Sequence, residues 1–188
     1  MDEVLAYLKN RTWEDDIYER RKLYLMKIAK ASKDSESAAE RIGGMLIFNQ
    51  VIEQLLRESI IGSIGYIKVS IFPSAVHLNP RLDKMTLGQL INAFEQYAIV
   101  EPNRELLLNY LAEYRNKRNL IIHKLFTVAD FEKQIGEIQA YNELAEEIIL
   151  LLLMHYNEIC ERFYSFEETE KYEQLMQQCT AAVESESN

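Results

Sequence analysis

The chain has 188 residues, a formal net charge of -9 and 48% hydrophobic residues. That length fits one domain with a full core, or a domain with helical extensions, and the composition excludes a disordered chain. The acidic balance excludes a protein that coats nucleic acid through its overall charge, but leaves room for a small basic site.

Only 6 glycines and 3 prolines punctuate the sequence, and helical periodicity runs through most of it. A first helix is expected over about residues 2–32, where Leu5, Leu8, Ile17, Tyr24, Leu25 and Ile28 keep a helical rhythm with a break near Arg11 and Thr12. "SKDSES" is a turn, with Ser35 or Ser37 available as cap for a second helix over about 36–70. Gly43 and Gly44 weaken that helix locally, and small residues there let another helix approach. These glycines do not follow a strand and form no phosphate loop.

"FPSAVHLNPRLDKM" reads as a loop with His77 at the surface. Thr86 caps a short helix, "LGQLINAFEQYAI", and "EPN" ends it and opens the next, over about 102–126. Thr127 or Asp130 starts a long last helix that breaks near Ser165 and runs on to Cys179. The expected fold class is all-α, with long N- and C-terminal helices. It forms a single domain over 1–180, with a core of about 36–160 and a disordered tail over 181–188.

Cys160 and Cys179 make no CxxC pattern and have no histidine pair beside them, which fits two thiols in a reducing compartment. No DxD or ExxH places two carboxylates with a histidine at ligand spacing, so no metal and no cofactor is expected. The N-terminus "MDEVLAYLKNRTWEDD" lacks an apolar h-region, and "EEIILLLLMHY" is too short to span a bilayer. A soluble, cytoplasmic protein without a membrane partner is expected.

The stretch "EYRNKRNLIIHKLF", Glu113 to Phe126, gathers Arg115, Lys117, Arg118 and Lys124 around His123 on the fourth helix. Arg115, Asn119 and His123 form an i, i+4, i+8 row. Arg118 lies five residues before His123, roughly 140° round and about 7.5 Å along the axis. Leu120, Ile121 and Ile122 are apolar, so part of the helix is expected in a core while the polar row faces a cleft or a partner. Histidine moves protons near neutral pH. A guanidinium grips phosphate through a planar fork and stabilises charge that grows in a transition state. Together they suit attack by an RNA 2′-hydroxyl on its own phosphate. The bland alternative is a solvated helix face.

"RNLIIH", Arg118 to His123, resembles the signature of the HEPN superfamily: an arginine and a histidine four to six residues apart, with a polar residue after the arginine. "GGMLIFNQVIEQLLRE" resembles the early HEPN helix that packs beside the motif helix. "TLGQLINAFEQY" is similar to a segment often found before it. The resemblance covers about residues 36–160. It implies an antiparallel, up-and-down, HEPN-like helical bundle that dimerises with motif helices facing each other, and a metal-independent endoribonuclease of the toxin–antitoxin, phage-defence or RNA-processing type. It assigns catalysis to Arg118, Asn119 and His123; Arg115, Lys117 and Lys124 of the basic stretch are expected as RNA-binding residues. The implied partners are a second copy, an RNA substrate, and an antitoxin or another protein. One departure concerns regulation: some toxin members carry a modifiable tyrosine two residues after the histidine, and this chain has Leu125 there.

The alternative function is a non-catalytic HEPN-like helical dimerisation or protein-interaction module. Further candidates have structural readings of their own. His155 follows a leucine run and is expected in the core or at its edge. Glu53, Arg57 and Glu58 are placed to orient the motif helix, or they form an exposed face. Tyr110 and Tyr114 are candidates to stack on a base, though packing explains most of the 11 tyrosines.

Overall fold

The computed structural model describes residues 14–71, 78, 80–99, 103–124, 131–167, 169–170, 173–174 and 176–177. All its regular elements are helical. They are α1 (Glu14–Lys33), α2 (Ala38–Ser70), a 3-10 turn (Leu82–Lys84), α3 (Leu87–Tyr97), α4 (Arg104–Lys124) and α5 (Phe131–Glu167). The expected positions of His77, Leu125, Cys179, the break near Arg11 and the tail lie outside the described residues, as do the starts of α1 and α5 proposed from sequence.

Local chemistry sets the boundaries. Ser37 caps α2, its side chain accepting a hydrogen bond from Glu40 N at 3.4 Å. At α3 the Gln89 side chain reaches back, and its Oε1 accepts from Thr86 N at 2.9 Å. Asn103 takes a φ of 63°, the left-handed region that asparagine tolerates, and its carbonyl accepts the first bond of α4 from Leu107 N at 2.9 Å. α5 continues past Ser165, whose hydroxyl bonds back to Glu161 O at 3.0 Å, and ends at Glu167.

α2 is the central element. It is apolar on most of its circumference and is covered by α1, α3 and α5. Phe48, Ile52, Leu55, Leu56 and Ile60 meet Leu90 and Phe94 of α3, Leu107 and Leu111 of α4, and Ile148 and Leu152 of α5 in one core. Gly44 marks the approach of α1: a Cβ there would stand 3.0 Å from Ser32 Cβ. Gly62 does the same for α5, at 3.1 Å from Ile159 Cγ2.

The four long helices alternate in direction along the chain. α1 runs against α2, because Ser32 meets Gly44 while Lys22 pairs with Glu58 at 3.4 Å. α2 and α5 run parallel, since Asn49 bonds Tyr141 and Gly62 meets Ile159 further along both. Their contact is the most extensive in the bundle. Among the described residues, no helix is long and apolar enough to cross a membrane.

Candidate functional site

α4 carries the charged stretch, and its core stripe is Leu107, Leu111, Tyr114 and Ile121. Arg118 stands in that stripe, one turn after Tyr114 and three residues before Ile121, where spacing calls for an apolar residue. It is half-buried. Its Nε is buried without a hydrogen-bond partner among the described residues. The ion pairs formed among those residues use Lys22, Lys30, Lys33, Arg57, Lys117 and Arg162; Arg115 and Arg118 enter none of them.

Beside Arg118 lies a buried polar cluster. Tyr114 and Tyr141 stack with ring centroids 4.3 Å apart and an interplanar angle of 17°. The Tyr114 hydroxyl donates to Asn49 Oδ1 at 3.0 Å, and the Tyr141 hydroxyl donates to the same oxygen at 2.6 Å. Burial drives the Tyr114 phenol well above its ordinary range and the Tyr141 phenol upward as well. The positive charge of Arg118 pulls both down and the carboxylate of Glu53 pushes both up, so these two charges share the neighbourhood of the pair.

Glu53 is held in turn by Arg57 at 3.4 Å. The Arg57 Nε donates to Leu82 O at 3.2 Å, tying α2 to the 3-10 turn. Of the three α2 residues singled out in the sequence, Glu53 belongs to the surroundings of the motif helix. Glu58 instead faces α1 and pairs with Lys22.

The rest of the basic stretch divides by face. The stem of Arg115 crosses the first turn of α3: a Cβ at Gly88 would stand 3.6 Å from Arg115 Cδ. Lys117 pairs with Glu113 at 2.7 Å on the surface, an arrangement of small energetic weight. Asn119 and His123 are exposed. The side chain of Lys124 lies outside the described residues. Of the apolar trio, only Ile121 is buried; Leu120 is 50% exposed and Ile122 is 38% exposed. Within one chain, therefore, Arg118 follows the core face while Asn119 and His123 point outward, with the uncovered Ile122 between them and Leu120 on their far side.

One expectation changes with these contacts. Tyr114 is fully buried against Tyr141 and is not available to stack on a base. Asn49 and Tyr141 were not singled out from sequence. The signal for Asn49 was a polar residue inside "MLIFNQVI", at helical spacing from Met45 and Ile52. For Tyr141 it was a place on the stripe of Ile138, Ala145 and Ile148.

His155 is a core residue, 4% exposed, with its ring centroid 4.9 Å from that of Phe94. Neither ring nitrogen has a hydrogen-bond partner among the described residues. Burial, with Arg162 and Arg104 nearby, pushes its pKa down to about 4. No group of three His, Cys, Asp or Glu side chains among the described residues is placed to hold a metal ion.

Comparison with known proteins finds no matching family model, no matching curated protein and no matching solved structure.

Proposed function

We propose that this chain is a metal-independent endoribonuclease of HEPN type that acts as a homodimer, with Arg118, Asn119 and His123 of both copies forming one composite cleft. The observation that carries the reading is the state of Arg118. A half-buried guanidinium with a buried Nε and no acceptor among the described residues is costly to keep. An incoming phosphate supplies the missing acceptors through the planar fork.

Helix geometry supports a second copy. Arg118 and His123 stand roughly 140° apart on one helix, and two α4 helices that face each other bring both residue types to one phosphate. Ile122 lies uncovered between them and Leu120 lies uncovered on the far side of His123; both supply apolar area for that contact.

In this arrangement His123 takes the proton of a 2′-hydroxyl, and the O2′ forms a bond to its phosphorus. The phosphorus–O5′ bond breaks, and the departing O5′ receives a proton from the second histidine. The products are a 2′,3′-cyclic phosphate and a 5′-hydroxyl. Arg118 holds the charge that grows on the phosphoryl oxygens, and Asn119 orients the imidazole or a ligand oxygen. Arg115 and Lys117 extend the cationic surface along α4, as does Lys124 by its place in the sequence. The antitoxin, phage-defence and cytoplasmic assignments belong to this same proposal.

The test is to incubate the purified protein with mixed RNA in EDTA and analyse the fragment ends. Cyclic phosphate or 3′-phosphate ends are expected. Activity that vanishes with chelator and returns with magnesium would remove the mechanism. The alternative reading, a non-catalytic interaction module, is favoured by one observation: α5 exposes Leu150 and Met154 on its outer face.

A further inference from the structure

α5 buries one face against α2 and turns the opposite face outward. At the middle of that outer face Leu150 is 60% exposed and Met154 is 51% exposed. They stand one turn apart, flanked by the partly buried Leu151 and Leu153. The borders of this apolar patch are acidic. Glu143 and Glu147 stand exposed on its N-terminal side and Glu161 on its C-terminal side. From Gln134 to Glu161, α5 contains no lysine or arginine. At one edge Lys30 and Lys33 of α1 reach Glu146. Glu143, Glu147 and Glu161 form none of the ion pairs found among the described residues.

We infer that the outer face of α5 is a docking surface for a basic amphipathic helix of a partner protein. The charge pattern selects this occupant. In a two-fold antiparallel pairing of α5 with its own copy about the Leu150–Met154 pair, Glu143 would face Glu161 of the partner subunit. A parallel pairing would set each carboxylate against itself. Like charges so placed oppose self-association. Nucleic acid is repelled by the same carboxylates.

A helix running antiparallel to α5 fits if it carries apolar residues opposite Met154 and Leu150 and cations opposite Glu161, Glu147 and Glu143. Read along that partner, the pattern is a cation, six residues, an apolar residue, three residues, an apolar residue, two residues, a cation, three residues and a cation. Two apolar anchors inside a charged rim match the apolar-core, polar-rim anatomy of a helix–helix contact. The proposal stands apart from the ribonuclease reading, because Arg118 and His123 lie on α4.

The test uses a synthetic helical peptide with lysine and leucine in that pattern, and a control with glutamate in place of lysine. Both are titrated onto the full chain by calorimetry at moderate ionic strength. Binding of the lysine peptide and no binding of the glutamate peptide are expected. The double variant Leu150→Ser/Met154→Ser should weaken the lysine peptide by at least about tenfold, while sedimentation of the free chain stays unchanged. Glu143→Gln/Glu147→Gln should weaken it too and flatten its salt dependence. Three results would overturn the inference: no binding of the lysine peptide, equal binding to the wild type and the double variant, or self-association of the wild type that the double variant abolishes. The last result would assign the face to a second copy.

Discussion

Tyr114 and Tyr141 lie on different helices, stack at 4.3 Å and give their hydroxyl protons to a single oxygen, Oδ1 of Asn49. One acceptor on α2 therefore ties α4 and α5 together beside Arg118. Removing it leaves two buried donors unsatisfied, which costs more than losing either donor. Asn49→Ala should destabilise the fold by about 2–4 kcal/mol, and Tyr141→Phe by only about 1 kcal/mol. Urea denaturation of the two variants checks the order. Equal losses would show that Asn49 is not the shared acceptor in solution.

The helices and their order were legible from periodicity and from caps such as Ser37 and Thr86, because both depend on residues close in sequence. The parallel packing of α2 on α5 was not legible. It rests on meetings such as Gly62 with Ile159, far apart along the chain. The motif itself was visible as "RNLIIH", and its division between faces followed partly from helix angles. The surroundings of Arg118 were hidden, since Asn49 and Tyr141 reach it only through tertiary packing. The exposure of Leu120 and Ile122 was hidden for the same reason: apolar residues read as core until the neighbouring helices are placed.

Arg118 holds a charge in the core stripe of α4 without an acceptor among the described residues. A residue kept for binding should be dispensable for folding. Arg118→Met keeps the stem volume and removes the charge, so stability should be unchanged or rise by up to about 1 kcal/mol, while RNA binding and cleavage fall. Arg118→Lys should restore only part of the function, because a point charge does not copy the fork. Thermal melts beside RNA titrations check this. A large loss of stability in Arg118→Met would make the residue structural.

His123 is exposed on α4, so His123→Ala should fold as the wild type does. Under the proposed proton-transfer role, the variant should lower the single-turnover cleavage rate by roughly 10²–10⁴-fold with RNA binding largely kept. Wild-type cleavage by the folded variant would take the catalytic role from His123.

Leu120 and Ile122 should become buried when two copies of α4 meet. Full burial of such a side chain is worth roughly 1.5–3 kcal/mol. Leu120→Ser/Ile122→Ser should weaken dimerisation by roughly 10²-fold or more. The helical content of the folded chain should not change, since neither side chain supports the core. Sedimentation velocity across a concentration series measures the shift. A wild type that stays monomeric at micromolar concentration would count against the composite cleft.

His155 links stability to pH. In the fold its pKa is pushed down to about 4, chiefly by burial, whereas an unfolded histidine titrates near 6.5. The unfolded chain thus binds the proton first. Above pH of about 6.5 the imidazole is neutral in both states and the linkage vanishes. As pH falls from about 6.5 towards 4, the unfolded state is protonated while the folded state resists, and stability drops. The loss should total about 1–3 kcal/mol across that window. His155→Leu removes the titrating group and places an apolar side chain against Phe94, where neither ring nitrogen has a partner among the described residues. Carboxylates also titrate towards the acid end, so the informative quantity is the difference between the two proteins. Urea denaturation at pH 7.5 and pH 4.5 measures it. The variant should lose less stability than the wild type between those two values. Parallel losses would mean that His155 gains its proton inside the fold as readily as outside it.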